Sequence, residues 1–133
     1  MSLKPIPALV LVATLFAVSA VSAVNADPSL IPHLDAYRDQ GIDQANAEQG
    51  GELWYASTND RGCTSCHGAS PANIGEHVKT GKSIEPMALS ANPGRYQNAK
   101  KIEKWFLRNC KWTFGRECSV QEKTDILTWL ASQ

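Results

Sequence analysis

The sequence of 133 residues predicts a small all-α domain. Several segments repeat apolar residues at helical spacing, and no stretch alternates apolar and polar residues for long enough to predict a strand. Gly, Pro and Asn are concentrated in residues 58–64 and in a long central loop, residues 68–97. Because a loop of that length is unusual in a compact domain without a ligand to wrap, the sequence predicts helices arranged around a ligand.

Four helices are predicted, over residues 29–39, 44–57, 98–109 and 120–131. The first is short and weakly patterned. The third has the strongest pattern: Ile102, Trp105, Phe106 and Asn109 follow one helix face. The last begins at a capping box made by Ser119 and Glu122.

The predicted second and last helices each contain a tryptophan, Trp54 and Trp129. We expect these two rings to pack together where the helices cross. Gly50 or Gly51 would allow the close approach of the two backbones. Trp105 is expected to lie against the ligand.

Residues 1–26 are predicted to be a secretory signal peptide. Lys4 is the one charge of a short first region, and an apolar run extends over residues 8–18. Small residues then lead to Ala26, a suitable cleavage site. The apolar run is short for a membrane span, which favours cleavage over an uncleaved anchor. We therefore expect a mature domain of residues 27–133, exported to the periplasm and not stably inserted in a membrane.

The charge balance excludes some partners. The chain has 13 Lys and Arg against 13 Asp and Glu, so its formal net charge is zero. A nucleic-acid-binding domain would show a basic excess, and a membrane-surface protein would show general attraction to anionic lipid. Neither partner is expected.

The motif Cys63-Thr64-Ser65-Cys66-His67 carries the most specific chemistry in the chain. Cys-x-x-Cys-His attaches a c-type haem: the two thiols add to the haem vinyl groups, and the histidine supplies the proximal iron ligand. A zinc half-site would need a second pair of ligands at matching spacing, and a thioredoxin-like site would need a βαβ context. Neither is present in the sequence, so we predict one covalent haem c.

The remaining cysteines, Cys110 and Cys118, are eight positions apart. An oxidising compartment would allow them to form a disulfide. A thiol–disulfide redox module built on this pair is an alternative function, which the long spacing disfavours.

The ligand on the other side of the iron decides the function, and spacing alone does not identify it. Met87 follows Pro86, as in many electron carriers, although a methionine also fills gaps in apolar cores. Asn109 lies on the apolar stripe of its helix, although asparagine also suits a helix C-terminus. His33 and His77 are expected on the surface. Met87 and Asn109 are equal candidates at this point.

Several motifs resemble the SHP-type cytochromes c and their relative cytochrome c″, over residues 51–133. They are CTSCH at 63–67, TGKSIEPM at 80–87, NPGRY at 92–96, EKWFLRNC at 103–110, GREC at 115–118 and EKTDILTWL at 122–130. The resemblance implies a class I cytochrome c fold, with the helices wrapped around one covalent haem c.

The resemblance also implies ligands. In these families the residue before the first disulfide cysteine faces the iron, as asparagine in SHP-type proteins and as a histidine that leaves on reduction in cytochrome c″. Here that residue is Asn109, followed by Cys110, whose disulfide partner is Cys118. Met87 stands where the resemblance leads us to expect leucine, so it remains the alternative distal ligand.

The expected function follows from the chemistry of an amide ligand. An amide oxygen is a hard, weak ligand that ferrous iron holds poorly, so reduction is expected to release Asn109 and open a position for O₂ or NO. The predicted protein is a high-spin cytochrome that accepts electrons from a partner cytochrome. The resemblance implies that this donor is a dihaem cytochrome c. The alternative is a low-spin electron carrier with His67 and Met87 as ligands.

Overall fold

The computed structural model describes residues 31–133. Its helices are α1 Ile31–Arg38, α2 Ala47–Tyr55, α3 Thr64–His67, α4 Ala99–Phe114 and α5 Val120–Ala131. Two antiparallel pairs of two-residue strands join β1 Ser57–Thr58 to β2 Arg61–Gly62 and β3 Gly75–Glu76 to β4 Ser83–Ile84. The predicted signal peptide, residues 1–26, lies outside the described residues. Within residues 31–133, none of the helices has the length and apolarity needed to cross a membrane.

Helices α2 and α5 cross in close contact, as the sequence predicts. A Cβ on Gly50 would lie 2.0 Å from the carbonyl oxygen of Asp125, so only glycine fits at this point. Trp54 and Trp129 pack with their ring centroids 5.5 Å apart. A buried carboxylate oxygen of Asp125 also accepts the backbone N–H of Asn46, the residue that caps α2. The crossing is therefore fixed by both packing and hydrogen bonding.

The apolar core extends from this crossing to the other helices and to the central loop. Its buried members are Leu34, Tyr37, Trp54, Leu89, Tyr96, Ile102, Ile126, Leu127 and Leu130. Cys63, Met87 and Phe106 are half-buried at its edge. The edge of the core thus contains residues from the segments expected to surround a haem.

Helix α4 extends five residues beyond its predicted end. The sequence prediction ends this helix at Asn109, but the helix continues to Phe114 and ends at Gly115, whose φ of 71° is left-handed. Glycine adopts that conformation without steric cost, so Gly115 is the helix terminator. Asn109 is therefore an interior residue of α4, and its reading as a helix C-cap is wrong.

The two short hairpins correct the prediction that the domain has no strands. In the first, Asn59 and Asp60 form a two-residue turn with φ of 51° and 59°. Paired left-handed residues of this kind match the twist of a hairpin, and Asn and Asp tolerate the conformation better than most residues. Strands of two residues are too short to show alternation, so periodicity could not have predicted them.

Candidate haem site

Helix α3 carries the attachment motif. It is a single turn in which the N–H of His67 donates to the carbonyl of Cys63 at 3.0 Å. Cys63, Cys66 and His67 stand at positions i, i+3 and i+4, which share one side of a helical turn. The segment therefore places both thiols and the imidazole toward the same region.

Both cysteines of the motif are free thiols and are partly exposed. Burial, with a contribution from Cys66, raises the pKa of the Cys63 thiol to about 11 despite an opposing backbone hydrogen bond. The thiol is consequently protonated at neutral pH. A thiol can add across a haem vinyl group only if it is not already in a disulfide. Neither Cys63 nor Cys66 forms a disulfide in the structure.

His67 is half-buried and packs against the ring of Trp54, with ring centroids 5.2 Å apart. Burial, helped by the positive charge of Arg95, lowers the pKa of His67 to about 4. The imidazole is therefore neutral at physiological pH and keeps a nitrogen lone pair for iron. No hydrogen bond between residues of the described range involves a ring nitrogen of His67.

Strand β3 lies directly behind α3. A Cβ on Gly75 would lie 2.3 Å from the carbonyl oxygen of Cys66 and 2.9 Å from the Cα of His67. Only glycine allows the strand to approach the motif so closely. Sequence reasoning did not identify this residue, because the approach depends on tertiary packing.

An open cleft of about 470 Å³ lies between α3 and the β3–β4 hairpin. Its wall includes Cys66, but it includes neither His67 nor Asn109. The cleft thus borders the thioether side of the motif, and it does not define the position of the iron.

The two candidate distal ligands have different surroundings. The backbone N–H of Met87 donates to the carbonyl of Pro71 at 2.7 Å, and its carbonyl accepts the hydroxyl of Tyr96 at 2.6 Å. Asn109 lies on α4 with an exposed side chain. Next to it, Cys110 forms the disulfide with Cys118 that the resemblance implies, with their Cα atoms 5.6 Å apart.

The end of α4 beyond Asn109 packs on the first hairpin. The guanidinium of Arg61 lies 5.9 Å from the ring centre of Trp112, and helix α4 contacts both β1 and β2. Since β2 leads directly into α3, this contact joins the C-terminal part of α4 to the start of the attachment motif.

The other histidines are less exposed than predicted. His33 is half-buried, and its Nε2 lies 2.6 Å from the carbonyl oxygen of Tyr96, so it joins α1 to the central loop. His77 is also half-buried, and its Nδ1 accepts the N–H of Lys79. Both histidines are thus only partly at the surface, because each imidazole makes a hydrogen bond with a backbone group.

A protein-only metal site is not formed by the part of the chain that the structure describes. Residues 31–133 contain no cluster of three or more His, Cys, Asp or Glu side chains arranged to hold a metal ion. Two free thiols beside a neutral histidine on one helical turn fit covalent haem instead.

Comparisons with known proteins agree with this geometry. A family model described as a domain of unknown function, DUF1924, matches residues 40–130. Cytochrome c-type protein SHP of Cereibacter sphaeroides is 40% identical over 125 residues, which cover 90% of this chain and 95% of that protein. Cytochrome c″ of Methylophilus methylotrophus is 35% identical over 77 residues, which cover 58% of this chain and 54% of that protein.

Solved structures show the same relationship. The structure of oxidised SHP, described as an oxygen-binding cytochrome c, matches with a TM-score of 0.71 at 38% identity, covering 77% of this chain and 96% of that one. The crystal structure of oxidised cytochrome c″ matches with a TM-score of 0.64 at 26% identity, covering 77% and 92%. The predicted class I cytochrome c fold and the predicted haem c cofactor are both confirmed. The chain belongs to the DUF1924 family and is a c-type cytochrome related to SHP and cytochrome c″.

Proposed function

We propose that this protein is an exported mono-haem cytochrome c that binds O₂ or NO when reduced. His67 is its permanent iron ligand, and Asn109 is a distal ligand that leaves on reduction. The observation that carries the proposal is the position of Asn109 in the interior of α4, directly before the disulfide cysteine Cys110. The similar protein SHP is described as oxygen binding, which supports the same ligand class here.

The proximal side is suited to permanent ligation. His67 is neutral, packs on the buried Trp54, and is linked through it to the crossing of α2 and α5. When bound, a haem would supply a redox-active iron that can bind diatomic gases. The chain's part is to hold one axial nitrogen firmly in place.

The distal side is suited to release. The amide of Asn109 can offer only a neutral oxygen, which ferric iron holds better than ferrous iron. The Cys110–Cys118 disulfide restrains the backbone beside it, so the amide can leave and return without unwinding of the helix.

Met87 is the weaker distal candidate. Both its own N–H and that of Ala88 donate to the carbonyl of Pro71, four residues beyond His67. This ties Met87 to the segment that carries His67, whereas a second, releasable ligand would have to move independently of that segment. Its half-buried side chain packs against the apolar core, as a gap-filling methionine would.

The reducing electron comes from outside the chain. We propose that a partner cytochrome supplies it, and the family resemblance points to a dihaem cytochrome c. The predicted signal peptide, residues 1–26, would place the mature protein, residues 27–133, in the periplasm, where both haem attachment and the disulfide are favoured.

The ferric and ferrous spectra of the purified holo-protein test the proposal. We expect a high-spin ferric spectrum and rapid binding of O₂, NO or CO by the ferrous protein. The alternative, a low-spin carrier with His67 and Met87 as ligands, would show the near-infrared methionine–iron band and slow gas binding limited by ligand displacement. That result would overturn the proposed function.

A further inference from the structure

Four aromatic rings form a continuous row from the iron ligand to the protein surface. The row runs from His67 to Trp54 at 5.2 Å, from Trp54 to Trp129 at 5.5 Å, and from Trp129 to Tyr55 at 5.6 Å between ring centroids. We infer that Trp54, Trp129 and Tyr55 form a relay that carries electrons from the surface to the haem when a peroxide oxidises it. This inference rests on the proposed function, because a peroxide needs an open distal position.

The inner member of the relay is shielded from bulk water. Trp54 is 2% exposed, and its ring lies against the imidazole of His67. An oxidised indole that is closed off from bulk water in this way loses its proton slowly. It therefore stays cationic and strongly oxidising, and it draws an electron from the next ring.

The outer member has the opposite properties. Tyr55 is 54% exposed, and its hydroxyl donates only to the carbonyl oxygen of Ala69, at 3.2 Å. When the phenol loses an electron, its proton can pass to surrounding water. Trp129, which is half-buried, lies between the two and contacts both. The row thus leads from a buried ring that releases a proton slowly to an exposed ring that releases one readily.

Packing alone does not account for this row. An aromatic cluster in a core is stabilised by buried area and by ring geometry, and these rings have the ordinary centroid spacing of such pairs. A purely structural cluster does not require a row of rings that begins beside the iron ligand, passes through a buried indole and ends at an exposed phenol. The combination is suited to electron transfer.

The chemistry balances with hydrogen peroxide as oxidant and ascorbate as reductant. Peroxide takes up two electrons and two protons, its O–O bond breaks, and two molecules of water form. Each electron leaves Tyr55 through Trp129 and Trp54, and the phenol releases one proton to water and becomes a phenoxyl radical. Ascorbate then gives that radical one electron and one proton, which restores Tyr55. The relay would protect the haem from oxidative loss.

Freeze-quench EPR of the ferric holo-protein after mixing with hydrogen peroxide, without reductant, tests the relay. We expect a tyrosyl radical in the wild type and its loss in Tyr55→Phe. We expect the same loss in Trp129→Phe, where oxidation stops at Trp54. Haem bleaching by peroxide should be several-fold faster in both variants. Phenylalanine is aromatic, but it is not oxidised at the potentials at which tryptophan and tyrosine lose an electron. Trp112→Phe, a partly buried tryptophan outside the row, is the matched control and should behave as wild type.

Unchanged radicals and unchanged bleaching in both variants would overturn the relay. Tyr55→Phe is a surface change, so its result is decisive even if Trp129→Phe folds poorly. A wild-type haem that does not react with peroxide would also overturn it. Oxygen binding by the ferrous form of the same preparation reports separately on the proposed function.

Discussion

The crossing of α2 and α5 and the second half of α4 are built in opposite ways. The crossing holds Trp54 and Leu127 almost fully buried, and a buried carboxylate of Asp125 joins the two helices. The second half of α4, residues 105–114, exposes Trp105 by 46% and Leu107 by 43%, and it is restrained by a disulfide. The proposed function needs a rigid side for the permanent ligand and a tethered side for the releasable one, and these two regions would supply them.

The largest effect is expected from a methyl group added at the crossing of α2 and α5. Gly50→Ala places a Cβ 2.0 Å from the backbone of Asp125, where neither side can yield. We expect a loss of about 3 kcal/mol or more in the free energy of unfolding, measured by denaturant titration of the holo-protein. Gly94→Ala, where a Cβ meets nothing within 4 Å, is the control and should leave the free energy nearly unchanged. Similar values for the two variants would show that the crossing is loosely packed.

Removal of the disulfide tests the α4 side. Cys110 and Cys118 are 8 positions apart, and losing a loop closure of this size costs about 2.5 kcal/mol in the chain-entropy model. We expect the double variant Cys110→Ser/Cys118→Ser to lose this much in stability and to change gas-binding rates, with His67 still bound to iron. Gas binding identical to wild type would remove the disulfide from the account of ligand release. It would also exclude a regulatory thiol–disulfide function for this pair.

Loss of the Asp125 carboxylate weakens the crossing by a smaller amount. Its Oδ1 accepts the N–H of Asn46 at 2.7 Å and the amide of Gln121 at 2.8 Å. Asp125→Ala leaves these donors unpaired, so we expect a loss of about 2 kcal/mol in the free energy of unfolding. Because the α4 side is not touched, the rate of gas binding should stay constant. A changed rate would mean that the two regions are coupled.

The smallest effect is expected at the start of α5. The hydrogen bond from Arg116 lowers the pKa of Glu122 to about 2 from 4.5, with backbone and side-chain bonds from Ser119 adding to it against burial. The carboxylate therefore stabilises the fold above about pH 4.5, and this contribution disappears as the pH falls toward 2. Glu122→Gln should cost about 1 kcal/mol or less at pH 6, because the Arg116 partner is largely exposed and solvent screens the pair. The difference from wild type should vanish near pH 2, and a difference that persists there would contradict this assignment.

Much of this comparison could be predicted from the sequence. The motif at 63–67 predicts the cofactor, and the capping box at Ser119 and the packing of Trp54 on Trp129 are both as expected. Local sequence patterns are sufficient to predict these features. Caps and motifs depend on short spacings, and ring pairs depend on large aromatic residues that pack wherever two helices meet.

Other features could not be predicted because they depend on tertiary contacts. The hydrogen bonds of Met87 to Pro71 and of Asp125 to Asn46 join residues distant in the chain. The true end of α4 was indicated by Gly115, but the asparagine at 109 also suited a helix end. The extension to Phe114 changes the site most, because it makes Asn109 part of a helix face.

The spectra of Asn109→Ala and Met87→Leu, recorded beside wild type in the ferric and ferrous states, test the central claim most directly. The account predicts that Asn109→Ala changes the ferric spectrum, the state in which the amide is bound, whereas Met87→Leu leaves the ferric and ferrous spectra close to wild type. If Asn109→Ala leaves spin state and gas affinity untouched, and Met87→Leu alters them, the releasable ligand is not Asn109 and the account is contradicted.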